Sequence, residues 1–318
     1  MIDSSNFRWK LRNPRMTRPD FPHAVHVRIN RILKSGTIAL LALSIPYTPT
    51  TAQADIVEEV IEVPMSFKTL YWGEFTRNIK VTVFHDTQRK KAPYLVINHG
   101  RPTRDEMHKF KRSRYSQNSR YFVSLGFVVF VPTRVGYGET GGPDMETAGQ
   151  RCDFSTEYDQ PFANAADQVV SVINHAKTLP YVDPTRGLVV GQSFGGATSI
   201  ALATRDLPGL KGAVNFSGGS GGNPTNNPEN PCFPQLLEQL FQDYGSRAKI
   251  PTVWLYSEND LFWGPTLPKK WFDAFVKGGG KGKFVPLPPH GRDGHGIFSA
   301  NIEAWKPAFE AFLHEVGF

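Results

Sequence analysis

The stretch Gly187-Leu-Val-Val-Gly191-Gln-Ser193-Phe-Gly195-Gly196-Ala-Thr decides the fold of this chain. It reads as a short apolar strand, a Gly-x-Ser-x-Gly motif and the start of a helix, which is the order of a nucleophile elbow. Such a turn exposes the serine hydroxyl at its tip, and a Cβ on Gly191 or Gly195 would collide with the neighbouring strand and helix. The helix N-terminus supplies N–H groups and a positive dipole end beside the serine. The motif therefore favours Ser193 as a nucleophile; the alternative is a plain Gly-Ser-Gly turn.

The first 54 residues read as a leader that does not enter the fold. Basic residues spread over positions 1–34 precede a short apolar run at 37–45, and Ala-Gln-Ala at 52–54 offers small residues for cleavage. The apolar run is too short to span a bilayer. We therefore expect a secretory signal, no stable membrane span after cleavage, and a periplasmic or secreted protein. A retained anchor is the alternative, and Met16 is an alternative start.

The length and charge of the remaining chain argue against binding to nucleic acid. Residues 55–318 number 264, which suits a single α/β catalytic domain. The whole chain has 36 basic and 29 acidic residues, a net charge of +7. The leader carries eight basic and two acidic residues, a net +6, so residues 55–318 have a net charge of +1. The basic balance of the chain thus belongs to the leader.

Strand-like and helix-like patterns alternate through residues 55–318. Strands are expected at 57–63, 79–84, 94–98, 128–131, 188–190, 212–216, 253–256 and 284–287. Helices are expected at 105–125, 162–178, 195–204, 233–244, 268–276 and 302–314. Several of the strands are continuous apolar runs, which is typical of parallel strands covered on both faces. The pattern predicts an α/β fold with a mostly parallel sheet of about eight strands and helices on both faces.

Two Gly-rich segments, 134–159 and 217–230, depart from this alternation. Both follow predicted strands, so both should emerge at the carboxyl edge of the sheet, where ligands bind in open α/β folds. The two cysteines of the chain, Cys152 and Cys232, lie near the far ends of these segments. In an oxidising compartment we expect a disulfide between them that ties the two loops together. Two separate buried thiols are the alternative, and the spacing does not suit a metal site.

A serine nucleophile needs an acid and a base, and on hydrolase sheets these follow it in that chain order. Asp260 comes just past the apolar strand 253–256, where such a carboxylate belongs. Glu258 follows the same strand and is the competing candidate. Either residue is otherwise a solvent-facing acid in a loop.

The base is expected in the loop between the last strand and the final helix. This loop holds both His290 and His295. His295 is favoured because it lies nearer the terminal helix and because glycines flank it on both sides, which lets its backbone approach the elbow. His290 follows two prolines and more naturally marks the exit of the strand. Asp293 is expected to cap or shape the loop.

An oxyanion hole requires two N–H donors. The first expected donor is the backbone N–H of Phe194, directly after the nucleophile. The second is the N–H of Arg101 in the loop after strand 94–98, where Gly100 permits close approach of the backbone. The alternative for this His-Gly sequence is a simple tight turn.

The surroundings of the predicted site allow two interpretations. Arg101, Arg104 and Arg134 either ring the mouth and favour acidic or sugar-linked acyl groups, or are solvated or structural charges, which is the favoured interpretation. Phe262 and Trp263 either wall an acyl pocket or serve as ordinary packing.

Taken together, these motifs resemble the dienelactone-hydrolase-like branch of the α/β-hydrolases, which is similar to the catalytic domains of prolyl-oligopeptidase-type enzymes. The matching pieces span nearly all of residues 60–318. They are Ile97-Asn-His-Gly, Arg134-Val-Gly-Tyr-Gly-Glu-Thr, Val182-Asp-Pro-Thr-Arg-Gly-Leu-Val-Val-Gly-Gln-Ser-Phe-Gly-Gly, Trp254-Leu-Tyr-Ser-Glu-Asn-Asp and Asp293-Gly-His.

This resemblance implies an α/β-hydrolase fold, a triad of Ser193, Asp260 and His295, and no cofactor. Dienelactone hydrolases proper use a cysteine where this chain has Ser193. The expectation is therefore a serine hydrolase that cleaves small-molecule carboxylic esters. A small peptidase or amidase, and a non-catalytic binding protein on the same fold, are the alternatives.

Overall fold

The computed structural model describes residues 55–318 except 70–72, 103–105, 108, 110 and 147–151. Its strands are β1 Ile56–Thr69, β2 Gly73–Asp86, β3 Ala92–Asn98, β4 Val128–Thr133, β5 Val182–Gln192, β6 Leu210–Phe216, β7 Thr252–Ser257 and β8 Gly282–Leu287. Its helices are α1 Ser116–Ser124, α2 Asp159–Ala176, α3 Phe194–Leu202, α4 Pro234–Arg247, α5 Leu267–Lys277, α6 Ile297–Ala300 and α7 Ile302–Glu315. None of the helices in these ranges has the length and apolar character needed to cross a membrane. The predicted leader and the alternative start at Met16 lie outside the described residues.

All eight strands form one sheet in the order β1-β2-β4-β3-β5-β6-β7-β8. The strand β2 pairs antiparallel with both β1 and β4, and every other neighbouring pair is parallel. Each predicted strand lies inside an observed one. The predicted mostly parallel sheet is therefore confirmed, with β5 and its elbow near the centre.

Apolar side chains cover both faces of the sheet, as the continuous apolar runs predict. In β5, Leu188 and Val190 pack in the core that contains α1, α6 and α7, whereas Val189 packs in the core that contains α2, α3, α4 and α5. All three side chains are fully buried. A parallel strand between two helical layers needs apolar residues at successive positions, because successive side chains point to opposite faces.

The helix predicted at 105–125 is wrong at residues 111–115, which are not helical, since α1 begins only at Ser116. The preceding backbone is tied to two strands instead. The N–H of Ser113 donates to Thr133 Oγ1 at 2.9 Å, and the carbonyl of Ser113 accepts from Thr82 Oγ1 at 2.9 Å. These tertiary hydrogen bonds hold the segment before α1 out of a helix.

The two Gly-rich segments emerge at the carboxyl edge of the sheet, as predicted. One follows β4 and the other follows β6, and both strands run parallel to β3 and β5 between them. A disulfide joins Cys152 to Cys232 with a Cα–Cα distance of 5.4 Å. The peptide N–H of Cys232 also donates to the carbonyl of Gly221 at 3.0 Å, and Tyr158 Oη donates to the carbonyl of Cys232. The covalent link therefore joins two loops that also contact each other through hydrogen bonds.

The disulfide predicts a measurable contribution to stability. Its two cysteines are 80 residues apart in sequence. Loss of a link across a loop of that length lowers the free energy of unfolding by about 4.5 kcal/mol in the chain-entropy model. We expect the double variant C152S/C232S to unfold at clearly lower urea concentration than the wild type.

Reduction of the wild type under native conditions provides the control. It should lower the midpoint to the value of the double variant and leave the midpoint of that variant unchanged. Equal midpoints for oxidised wild type and double variant would show that the disulfide contributes nothing to stability.

Candidate active site

The Gly-x-Ser-x-Gly motif forms a sharp turn between β5, which ends at Gln192, and α3, which begins at Phe194. Ser193 between them has φ 55° and ψ −126°, a conformation that costs free energy for a residue with a side chain. The turn is held by its own backbone: the N–H of Ser193 donates to the carbonyl of Phe216 at 2.9 Å, and its carbonyl accepts from Gly196 at 2.8 Å. The chain thus forms the strained elbow that the motif predicts.

Other backbone segments pass so close to Gly191 and Gly195 that a side chain at either position would collide with them. A Cβ on Gly191 would lie well under 3.0 Å from the carbonyl oxygen of Gly195, at the start of α3. A Cβ on Gly195 would lie well under 3.0 Å from the carbonyl oxygens of Asn98 and His99, at the end of β3. The collisions expected from the sequence are therefore present, with the helix in one case and the neighbouring strand in the other.

The structure brings His295 and Asp260 together. The imidazole Nδ1 of His295 lies 3.0 Å from each carboxylate oxygen of Asp260. Asp260 follows β7 by three residues and is fully buried, and His295 is 9% exposed. The competing candidate Glu258 is exposed to solvent. Since a carboxylate accepts but does not donate, Nδ1 of His295 carries a proton and donates it to Asp260, and Nε2 is the ring nitrogen that this contact leaves free to exchange a proton.

Asp293 joins the loop of the acid to the loop of the histidine. Its Oδ1 accepts the backbone N–H of His295 and that of Leu261, both at 3.0 Å. Asp293 is expected from the sequence to shape the loop, and these hydrogen bonds are consistent with that role.

His290, the alternative base, lies three residues past β8, and its backbone N–H donates to Asn259 Oδ1 at 2.9 Å. The carboxylate-bound imidazole is thus that of His295.

Aromatic rings fix the plane of the His295 imidazole. The ring of Phe262 stacks on it with a centroid distance of 3.8 Å and an interplanar angle of 23°. Trp263 meets it edge-on at 5.5 Å and donates its Nε1–H to the carbonyl of Ser217 at 2.8 Å. Phe262 also lines the cavity next to Ser193, as one interpretation of the sequence expects. Trp263 is buried behind it and serves as ordinary packing, as the other interpretation expects.

Ser193, His295 and Phe262 line one open cavity of about 720 Å³. Its opposite wall comes from the segment that follows β3. The remaining lining residues are His99, Gly100, Arg101, Pro102, Glu106, Lys109, Ser113, Arg114, Tyr115 and Gln192. Between the described residues no hydrogen bond joins Ser193 to His295, although the two side chains face the same space.

The loop that carries the second predicted donor runs alongside the elbow. A Cβ on Gly100 would lie 3.2 Å from Ser193 Cβ and 3.8 Å from Ser193 Oγ. Phe194 is the first residue of α3, where backbone N–H groups have no acceptor within the helix. The peptide N–H groups of Phe194 and Arg101 have no hydrogen-bond acceptor among the described residues. Both predicted donors therefore belong to segments that meet at Ser193.

The arginine side chains are structural charges, in agreement with the favoured interpretation. Arg134 is fully buried and pairs with Glu146 at 2.7 Å. Arg101 Nη1 donates to Asp144 at 2.7 Å and to Tyr137 Oη at 2.9 Å. Burial disfavours the charged form of Arg101, but the hydrogen bond to Asp144 and the nearby Tyr137 and Glu146 outweigh it and raise its pKa. Arg104 lies outside the described residues.

Two polar residues of the cavity escape analysis of the sequence. Tyr115 Oη accepts the N–H of Gly100 at 3.4 Å and donates to Gln192 Oε1 at 3.2 Å. Burial raises the pKa of Tyr115. Gln192 Nε2 in turn donates to the carbonyl of His295 at 3.4 Å. Gln192 is the unspecified residue of the motif and Tyr115 lies in a segment predicted as helix, so neither carries a sequence signal.

The residues that the structure describes include no group of three or more His, Cys, Asp and Glu side chains arranged to hold a metal ion. Ser193 and the carboxylate-bound imidazole of His295 line the cavity, and among the described residues the N–H groups of Phe194 and Arg101 have no acceptor.

Comparisons with known proteins show which families and structures this chain is similar to. A model of the dienelactone hydrolase family matches residues 108–264. No curated protein matches the chain. A solved structure from Klebsiella pneumoniae, assigned as a dienelactone hydrolase, is 15% identical, with a TM-score of 0.54 over 82% of this chain and 98% of that one.

Two further solved structures have the same fold. Acetyl xylan esterase 1 from Thermoanaerobacterium is 14% identical, with a TM-score of 0.52 over 84% of this chain and 89% of that one. An acylaminoacyl peptidase from Pyrococcus horikoshii is 16% identical, with a TM-score of 0.53 over 80% of this chain but only 41% of that one. The solved structures show that the chain has the α/β-hydrolase fold, and its residues 108–264 are similar to the dienelactone hydrolase family.

Proposed function

We propose that this protein is a serine hydrolase that cleaves small-molecule carboxylic esters through an acyl-enzyme. One observation carries the proposal: the buried carboxylate of Asp260 holds Nδ1 of His295, while Ser193, at the tip of a strained elbow, lines the same cavity as that imidazole. A serine hydroxyl is a weak nucleophile at its free pKa and requires such a base. A binding protein would need neither the strain nor the buried charge.

The reaction follows from the proposed roles. Nε2 of His295 takes the proton of Ser193 Oγ as that oxygen attacks the ester carbonyl carbon. The carboxylate of Asp260 stabilises the imidazolium that forms, and the N–H groups of Phe194 and Arg101 donate to the oxyanion. The C–O bond to the alcohol then breaks, and His295 returns its proton to the leaving oxygen. A water molecule, deprotonated by His295, cleaves the acyl-enzyme and restores the serine.

Amide hydrolysis is the second candidate, since an acylaminoacyl peptidase shares the fold. The same three side chains would then act on an amide, whose amine is a poorer leaving group than the alcohol of an ester. An ester and the matched anilide of one acyl group, assayed side by side, separate the two. We expect turnover of the ester to exceed that of the anilide.

We also propose that the protein is exported, because its two described loops are joined by a disulfide, which is typical of oxidising compartments. When the full chain is expressed in a bacterium, we expect the exported form to begin at Asp55, after the Ala-Gln-Ala sequence. N-terminal sequencing of the periplasmic and culture fractions measures this. An exported form that begins well upstream of that position would contradict the proposed cleavage.

The nucleophile is tested by the variant Ser193→Ala. We expect its turnover of p-nitrophenyl acetate to fall by about 10⁴-fold or more, because the three groups act as a unit. A fluorophosphonate probe should label the wild type at Ser193 and leave the variant unlabelled. Folded wild-type protein that neither labels nor hydrolyses any ester in a panel of acyl chain lengths would instead be a binding protein.

Two matched pairs of variants test the acid and the base. Asp260→Asn presents an amide to Nδ1 and should lower kcat by about 10⁴-fold, whereas the exposed Glu258→Gln should leave it within about twofold of the wild type. His295→Gln should likewise abolish turnover, while His290→Gln should not. Equal losses within either pair would mean that the proposed roles of Asp260 and His295 are wrong.

A further inference from the structure

His99 is a buried histidine beside the elbow to which the reaction scheme assigns no role. Its side chain is largely buried, at 4% exposed, between β3 and the segment after β4. Nε2 of its ring lies 3.1 Å from the backbone nitrogen of Arg134, and Nδ1 lies 2.6 Å from the carbonyl oxygen of Gly100. Its ring also meets Tyr137 edge-on at 4.8 Å.

These contacts define the protonation of the ring. A backbone N–H is always a donor, so Nε2 of His99 must accept from Arg134 and cannot carry a proton. The carbonyl of Gly100 is always an acceptor, so Nδ1 carries the proton and donates it. Burial, with the nearby charge of Arg134, holds the pKa of His99 well below its usual range. The ring is therefore neutral, with a single tautomer selected by the backbone around it.

The carbonyl that His99 holds belongs to the same peptide unit as the N–H of Arg101. This peptide is trans, as are all the described ones, and the C=O and N–H of a trans peptide point in opposite directions within one plane. A hydrogen bond on the oxygen of Gly100 therefore fixes where the N–H of Arg101 points. The N–H of Arg101 is the second donor of the proposed oxyanion hole.

The preceding peptide unit is held from both sides. Nη1 of Arg134 donates to the carbonyl of His99 at 2.7 Å, and the N–H of Gly100 donates to Tyr115 Oη at 3.4 Å. Arg134 is itself fixed by the buried carboxylate of Glu146. With this unit in place, rotation about Gly100 still determines the orientation of the next peptide.

Because residue 100 is a glycine, the peptide that follows it needs a hydrogen bond on its carbonyl to keep one orientation. The backbone of Gly100 passes so near Ser193 that a Cβ would meet the Cβ of the serine at 3.2 Å, which favours glycine. Glycine, however, allows the following peptide to rotate with little steric resistance. Without a hydrogen bond to its carbonyl, the peptide can turn its oxygen toward the oxyanion, which would repel the developing charge.

We propose that His99 is a positioning residue: its Nδ1–H holds the peptide between Gly100 and Arg101 in the orientation that aims the N–H of Arg101 at the oxyanion. This inference rests on the proposed ester hydrolysis and goes beyond it, because it assigns the preorganisation of the oxyanion hole to a side chain that never touches substrate.

Two isosteric variants separate the contacts of the ring. In His99→Asn, the amide nitrogen takes the place of Nδ1 and can donate to Gly100, but the contact to Arg134 is lost. In His99→Gln, the amide oxygen takes the place of Nε2 and can accept from Arg134, but nothing donates to Gly100. A role in packing alone predicts similar behaviour of both variants, whereas orientation of the peptide predicts opposite behaviour.

Steady-state kinetics with p-nitrophenyl acetate measure the difference. We expect H99Q to lose about 10²-fold in kcat, as when one oxyanion donor is removed, with KM unchanged because the charge develops only in the transition state. H99N should keep most of its kcat. Thermal unfolding of both variants and of the exposed control His314→Gln accounts for stability. Equal losses in H99N and H99Q, or losses confined to KM, would overturn the inference.

Nitrogen-15 NMR of the wild-type imidazoles gives a readout that is independent of activity. We expect His99 to be a neutral Nδ1–H tautomer, and a proton on Nε2 would overturn the inference while leaving the proposed function intact. Conversely, a wild type that fails to hydrolyse esters and to react with the fluorophosphonate probe would remove the proposed function, and the inference with it.

Discussion

Backbone segments approach one another at the end of β5 more closely than side chains permit. The turn before α3 touches the start of that helix through Gly191, the end of β3 through Gly195, and the loop after β3 through Gly100. This crowding holds Ser193 in a strained conformation, because no neighbouring segment can move aside to let the turn relax. It also brings the loop after β3 and the start of α3 against the same serine. The site is therefore a consequence of how tightly the central strands and one helix meet.

Buried charges surround this turn, and each is held by a partner. The carboxylate of Asp260 contacts the His295 imidazole, and the guanidinium of Arg134 contacts the carboxylate of Glu146. A buried ion pair contributes little net stability, because desolvation offsets the attraction between its members. Such a pair does fix the geometry of whatever it touches, and Arg134 touches the carbonyl of His99. In this protein the buried charges are better explained by the orientation of the groups they contact than by a contribution to the free energy of unfolding.

Much of the fold could be predicted from the sequence because its signals are local. Every strand contains a pattern of apolar residues that predicts it, in several cases a continuous apolar run, and the position of Asp260 just after β7 favours it over Glu258 as the candidate acid. The start of α1 was missed because Ser113 is held by side chains of β2 and β4, which no local pattern reveals. The cavity wall formed by Tyr115 and the bridge formed by Gln192 were invisible for the same reason. Contacts between distant segments, rather than propensities, determine these features.

Because Phe262 stacks on His295, this one residue affects both the shape of the cavity and the orientation of the imidazole. The residue that shapes one side of the cavity is also the surface on which the imidazole rests, and it follows Asp260 by two positions. A smaller side chain at 262 would admit bulkier acyl groups but would also free the ring to tilt. Under the proposed mechanism, a change in substrate range made at this position would therefore alter proton transfer as well. We expect natural diversification of this scaffold to proceed through Lys109 and Arg114, which line the same cavity and have no role in the proposed reaction.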